Sequence, residues 1–167
     1  MAERARDDRV AFVGIDGGGG AGKSTLASAV AGARDDVRVV HLDDFFLSTV
    51  GGPESVDVER LRREALDPLA QGEPARFRRF EWWGEHLAEE QVVEAGRVVV
   101  LEGVFALQAS LRPLFDVTAW VETDEARRLA RGLERDGENA RELWEQWQEA
   151  EAAHAVEVAE VDVVVLG

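Results

Sequence analysis

The chain has 167 residues, enough for one domain that buries most of its apolar surface without disulfides or a structural metal. Hydrophobic residues make up 46% and charged residues 32%, which excludes a disordered chain, and the lack of Cys excludes thiol catalysis and thiolate zinc sites. A formal net charge of -15 repels polyanions and argues against a nucleic-acid partner.

The opening MAERARDDRV is charged and runs straight into an apolar stretch, unlike a secretory signal. No apolar run approaches the roughly 18 residues of a bilayer span. A cytoplasmic protein with no membrane partner is expected. Residues 10–15 form the first of five apolar, β-branched runs, the others being 37–42, 98–101, 117–121 and 161–166, and these predict strands. Helical patterns fall at 23–33, 56–70, 85–95, 124–135 and 138–158, with Gly32, Gly72, Gly96 and Gly137 near their ends. Such alternation predicts a three-layer α/β fold of the P-loop NTPase type, with a five-stranded parallel sheet flanked by helices. Ligands of such sheets sit beyond the carboxyl ends of the strands. No linker divides the chain, so a single domain over 1–167 is expected, with a substrate cap at about 48–95 and an arginine lid at about 124–141.

After the first strand comes Gly17-Gly18-Gly19-Gly20-Ala21-Gly22-Lys23-Ser24-Thr25, which satisfies the phosphate-loop pattern in its required setting of strand, loop and helix. Glycines let successive N–H groups face phosphate oxygens, and the helix start adds its positive dipole end. Lys23 is expected to bridge the β- and γ-phosphates of ATP and Ser24 to bind Mg²⁺ through its hydroxyl. Of the 19 Lys and Arg residues 18 are Arg, so the one ammonium of the chain stands where a compact point charge differs from a planar fork.

The second strand runs into His41-Leu42-Asp43-Asp44-Phe45-Phe46. Asp43 is the expected carboxylate that takes the proton of an acceptor hydroxyl, and Asp44 an expected contact of the Mg²⁺ site, with helix capping as the competing explanation of the pair. The segment from Ser48 to Gly84 and on to His86 gathers Asp57, Arg76, Arg78, Arg79, Phe80, Glu81, Trp82, Trp83 and His86, which suit a flat ligand or an ordinary packed cap. The third strand ends in Glu102, an expected Mg²⁺-site acid. Arg127, Arg131 and Arg135 recur every four residues with Arg128 beside them, either as a lid closing over phosphates or as a solvated face paired with Glu125, Glu134 and Glu138. Trp144 and Trp147 are read as packing their helix onto the core.

These motifs together, GGGGAGKST, HLDDFF, VDVERL, RFEWW, VVLEGV and RRLARGLERD, resemble the uridine kinase and phosphoribulokinase group of P-loop kinases, and most closely the short uridine kinase-like proteins. The resemblance implies Asp43 as catalytic Asp, Asp57 at the sugar hydroxyls, Phe80 and Glu81 at a nucleobase, Glu102 as the Mg²⁺-site acid, and Arg131 and Arg135 as lid arginines. It implies an ATP-dependent phosphotransferase acting on a small-molecule hydroxyl, a nucleoside first. Trp82 and His86 are expected on the acceptor side from the aromatic segment itself, His86 standing one place from the family's cap histidine. Another small alcohol, pantothenate-like or a sugar, is the alternative acceptor, and a nucleotide-dependent regulatory ATPase the alternative class. The chain has no Tyr, so Phe46 and Phe80 stand where hydroxylated aromatics are common in uridine kinases.

Overall fold

Val-rich runs of four to six residues are too short for stable helices and settle as parallel strands, the central ones buried on both faces and the run over 163–166 largely exposed at the edge. The computed structural model describes residues 9–49, 51–157 and 160–167. Its main sheet has the order β2-β5-β1-β6-β7, built from β1 (Ala11–Asp16), β2 (Val37–His41), β5 (Val98–Glu102), β6 (Val117–Glu122) and β7 (Val163–Leu166), all parallel. All five expected strands are therefore present. The register sets Glu102 level with Ile15 on one side and with His41 on the other, so three strand ends meet at one edge.

Helix α1 (Lys23–Gly32) covers one face, and α4 (Glu125–Asp136) and α5 (Arg141–Glu157) follow β6. The last residue of the expected helix over 138–158, Val158, lies outside the described residues, as do residues 1–8. The helix expected over 56–70 occurs as α2 (Val58–Leu61), a π-helical segment Arg62–Leu66 and α3 (Asp67–Ala70). Pro68 cannot donate to the carbonyl four residues back, and the widened turn before it accommodates that loss.

The helix expected over 85–95 is instead a strand. β4 (His86–Val93) pairs antiparallel with β3 (Ala75–Glu81) in a separate two-stranded sheet. Leu87, Ala88, Glu89 and Glu90 favour a helix in isolation, but pairing with β3 satisfies the β4 backbone and tertiary contact outweighs that weak preference. Phe45, Phe77, Leu61, Leu69 and Leu101 join this hairpin, α2, α3 and the sheet in one buried cluster, so the hairpin is continuous with the core. Among the described residues no helix is long and apolar enough to cross a membrane.

Candidate active site

The loop after β1 enters α1 through Gly22, a helix cap in the left-handed region (φ 108°) with no side-chain hydrogen bond, and no acid lies in the first turn of α1. The free N–H groups of that turn thus keep their capacity for an anion. Lys23 is buried, 7% exposed as a residue, and its ammonium donates to Gly18 O at 2.9 Å and so is drawn back over the loop. Next to it, Ser24 Oγ donates to Glu102 Oε1 at 3.0 Å, and His41 Nδ1 shares that same oxygen at 2.6 Å. The bond to Glu102 raises the His41 pKa, against the opposing effect of burial.

β2 ends in a 3₁₀ turn (Leu42–Phe45) that buries Leu42 and Phe45 and leaves the two carboxylates between them to face different ways. Asp43 opens onto the cleft, although protein surrounds it at longer range; that loss of hydration raises its pKa, with Lys23 pulling it down. Burial pushes Asp44 up to about 6, the charges of His41 and Arg79 opposing. The guanidinium of Arg60, almost fully buried, stacks over Phe45 and donates to Asp44 O at 2.6 Å and Arg78 O at 2.8 Å, tying the acidic turn to β3.

From α4, Arg131 Nη1 reaches Gly20 O at 3.1 Å, while Arg135 pairs with Asp136 and stacks over Trp144, its charge also acting on Asp43. Arg128 is clamped by Glu151 of α5 at 2.6 Å. Opposite stands an aromatic wall in which Phe46 and Trp82 are 5.0 Å apart, Phe80 and Trp82 5.6 Å, and Trp82 and Trp147 5.6 Å. Trp147 also donates to Thr49 O at 2.8 Å.

One cleft of 1390 Å³ joins these parts. Lys23, Ser24, Thr25, Asp43, Glu102, Arg131 and Arg135 line it together with Gly19, Gly20, Ala21 and Gly22 at the loop and Phe80, Glu81 and Trp82 at the β3–β4 hairpin. Gly17, Gly18, Asp44, Asp57 and His86 are outside that lining. Asp57 caps α2, accepting from Arg60 N at 2.9 Å, and His86 lies on the exposed end of β4. Among the described residues no three His, Cys, Asp or Glu side chains are arranged to hold a metal ion. The Ser24–Glu102 pair is the arrangement that fits Mg²⁺, which keeps several ligands from water and phosphate rather than needing a full protein cage.

Sequence reasoning placed Trp147 in the core, whereas it also lines the cleft, and it did not single out Glu151, His154 or the role of His41 beside Glu102. Trp144, Trp147, Glu151 and His154 recur at three or four residues along α5, a helical stripe visible in the sequence. Nothing in that spacing says that the stripe meets the phosphate loop: His154 Nε2 is 2.7 Å from Asp16 Oδ2, and Glu151 Oε1 is 2.8 Å from Gly19 N.

Two inorganic pyrophosphatases of Arabidopsis thaliana, TTM1 and TTM2, match 86% of this chain at 26% and 27% identity, and the chain spans only 24% and 23% of their lengths. A uridine kinase of Latilactobacillus sakei is 30% identical over 143 residues, 77% of this chain and 67% of that protein. Among solved structures, a Silicibacter sp. TM1040 chain provisionally named a fructose transport system kinase superposes with a TM-score of 0.76 at 23% identity, covering 95% of this chain and 91% of its own. A Bacillus stearothermophilus chain named a possible uridine kinase gives 0.69 at 19% identity, with 99% and 100% covered. At these identities the two superpositions establish the P-loop kinase fold alone. The profile of the phosphoribulokinase / uridine kinase family matches residues 47–150, from the segment before α2 through Glu102 and α4 into α5, and the chain belongs to that family.

Proposed function

We propose that this chain transfers the γ-phosphoryl group of ATP to a hydroxyl of a small molecule, with a nucleoside as acceptor. The observation that carries this reading is the opening of the Lys23 ammonium and the Asp43 carboxylate onto one cleft, from the elements that follow β1 and β2, the strands on either side of β5. A nucleotide-dependent switch has no use for a proton-accepting carboxylate beside its phosphate loop.

In this reading N–H groups of the glycine loop and of the first turn of α1, together with Lys23, hold the β- and γ-phosphates. Mg²⁺, when bound through Ser24 and Glu102, supplies charge neutralisation at the phosphate oxygens. Asp43 is the base rather than Asp44, because Asp43 lines the cleft and Asp44 does not. It orients the acceptor O–H and takes its proton as the oxygen bonds to the γ-phosphorus and the bond to the β-phosphate oxygen breaks, releasing ADP. Arg131 and Arg135 offer charge to the transferring group once they leave their present partners. Phe46, Phe80, Trp82 and Trp147 form flat apolar walls for a ring, and Glu81 offers an acceptor to a ring N–H, which supports a nucleobase. Asp57 and His86, outside the cleft, receive no acceptor role.

The test is ATP consumption with Mg²⁺ against nucleosides, pantothenate-like alcohols and sugars, with product masses determined and Lys23→Ala as control. Phosphorylated uridine or cytidine, with no product from Lys23→Ala, is the expected result. Transfer to another alcohol alone would replace the acceptor, and ATP binding without transfer to any of them would remove the kinase reading.

A further inference from the structure

The phosphate loop is covered by a side chain of like charge to its expected ligand. Gly19 N, one of the N–H groups a phosphate would take, donates instead to Glu151 Oε1 at 2.8 Å. The other carboxylate oxygen, Oε2, accepts from Arg128 Nη1 at 2.6 Å, and the same Nη1 lies 3.4 Å from Gly19 O. The Glu151 side chain is 5% exposed and that of Arg128 14%, so the cluster is a packed one and not a surface pair. The loop accepts this cover because it lacks side chains. A Cβ on Gly18 would collide with Arg128 Nη1 and come within 2.8 Å of Glu151 Oε2, and one on Gly19 would come within 2.7 Å of Trp144 and 3.0 Å of Glu151 Oε1.

An oxyanion bonded to a loop N–H and to a guanidinium is the set of contacts a phosphate oxygen would make. We propose that Glu151 is a built-in competitor of the nucleotide: its carboxylate occupies a phosphate position, and binding requires α5 to withdraw it and hand Gly19 N–H and Arg128 to a phosphate. The proposal rests on the reading of this loop as a nucleotide site. Arg128 is thereby a phosphate-binding residue held in reserve, distinct from Arg131 and Arg135, which line the cleft. The exchange is balanced in charge, since one anion replaces another beside Arg128 and the buried guanidinium is never left unpaired.

The size of the effect follows from the closed population. If the carboxylate covers the loop for about nine-tenths of the time, the apparent dissociation constant is raised about tenfold over that of an open loop. Glu151→Gln removes the charge that competes and keeps the shape. Calorimetric titration of the full chain with ATP, with pyrophosphate and with adenosine separates the possibilities. The expected result is that Glu151→Gln binds ATP and pyrophosphate about tenfold tighter than the parent and adenosine equally well, and that adding Arg128→Ala cancels the gain. Unchanged or weaker ATP binding by Glu151→Gln overturns the competitor, as does an equal gain for adenosine. If neither protein binds ATP while both melt cooperatively, the nucleotide reading falls along with it. Should Glu151→Gln not fold, hydrogen exchange of the parent decides: pyrophosphate is expected to speed amide exchange in α5 around residue 151, and unchanged or slower exchange there contradicts the withdrawal.

Discussion

Asp43 and Asp44 are adjacent in the chain and carry opposite consequences. As the proposed base, Asp43 must be ionised to take a proton, and its pKa is raised by lost hydration, so turnover is expected to rise with pH to a midpoint above the ordinary carboxylate range. Asp43→Asn should lower kcat by about 10²-fold or more while leaving ATP affinity within a few-fold, as read from steady-state kinetics and titration. Unchanged turnover in that variant would exonerate Asp43 as base. Asp44 bears on stability instead. Its pKa of about 6 in the folded protein exceeds that of an unfolded Asp, so the folded state binds the proton more tightly and ionisation above pH 6 costs stability. Asp44→Asn is therefore expected to melt at a higher temperature than the parent at pH 8. The difference should shrink as pH falls through about 6 and be gone below the unfolded pKa near 4. The sequence showed the two acids side by side; which one faces the cleft is decided by Leu42 and Phe45, whose burial fixes the turn.

Among the elements, those whose identity is set by local signals were legible in the sequence. The five strands announced themselves by continuous Val, Ile and Leu runs, and the phosphate loop by glycines before a lone lysine. The β3–β4 hairpin was not legible, because its outer strand carries helix-favouring residues and is defined by its partner. Nor was the meeting of α5 with the phosphate loop, which joins residues 132 positions apart. Arg60 is the comparable case on α2: in the sequence it is one arginine of VERLRRE, in the structure a buried cation holding α2, the acidic turn and β3 together. Arg60→Ala leaves two backbone carbonyls without their donor and is expected to cost about 2–4 kcal/mol, measured as a shift of the urea midpoint. Because one of those carbonyls belongs to Asp44, the variant should also lose turnover beyond its loss of stability. A change in the urea midpoint with kinetics intact would show that the turn does not depend on the clamp.

For the molecule as a whole the dominant long-range quantity is the charge of -15. Self-repulsion on that scale opposes the compact state and is screened by salt, so the melting temperature is expected to rise between about 20 and 200 mM NaCl. The same charge slows the approach of an anionic nucleotide, and added salt should speed its association, a sign opposite to that of proteins steered by a basic surface. A stopped-flow association rate that falls with salt would mean that the local field of Lys23 and the α4 arginines outweighs the global one.

The solitary lysine carries a chemical consequence. Amine-selective acylating reagents have two classes of target on a protein, the α-amino group and lysine side chains, and this chain offers a single side chain of that kind, held 2.9 Å from a loop carbonyl. Every acyl group found away from the α-amino end therefore marks one ammonium, and the rate at which that site is acylated, read by peptide mass, reports how readily Lys23 leaves the loop carbonyl for the reagent.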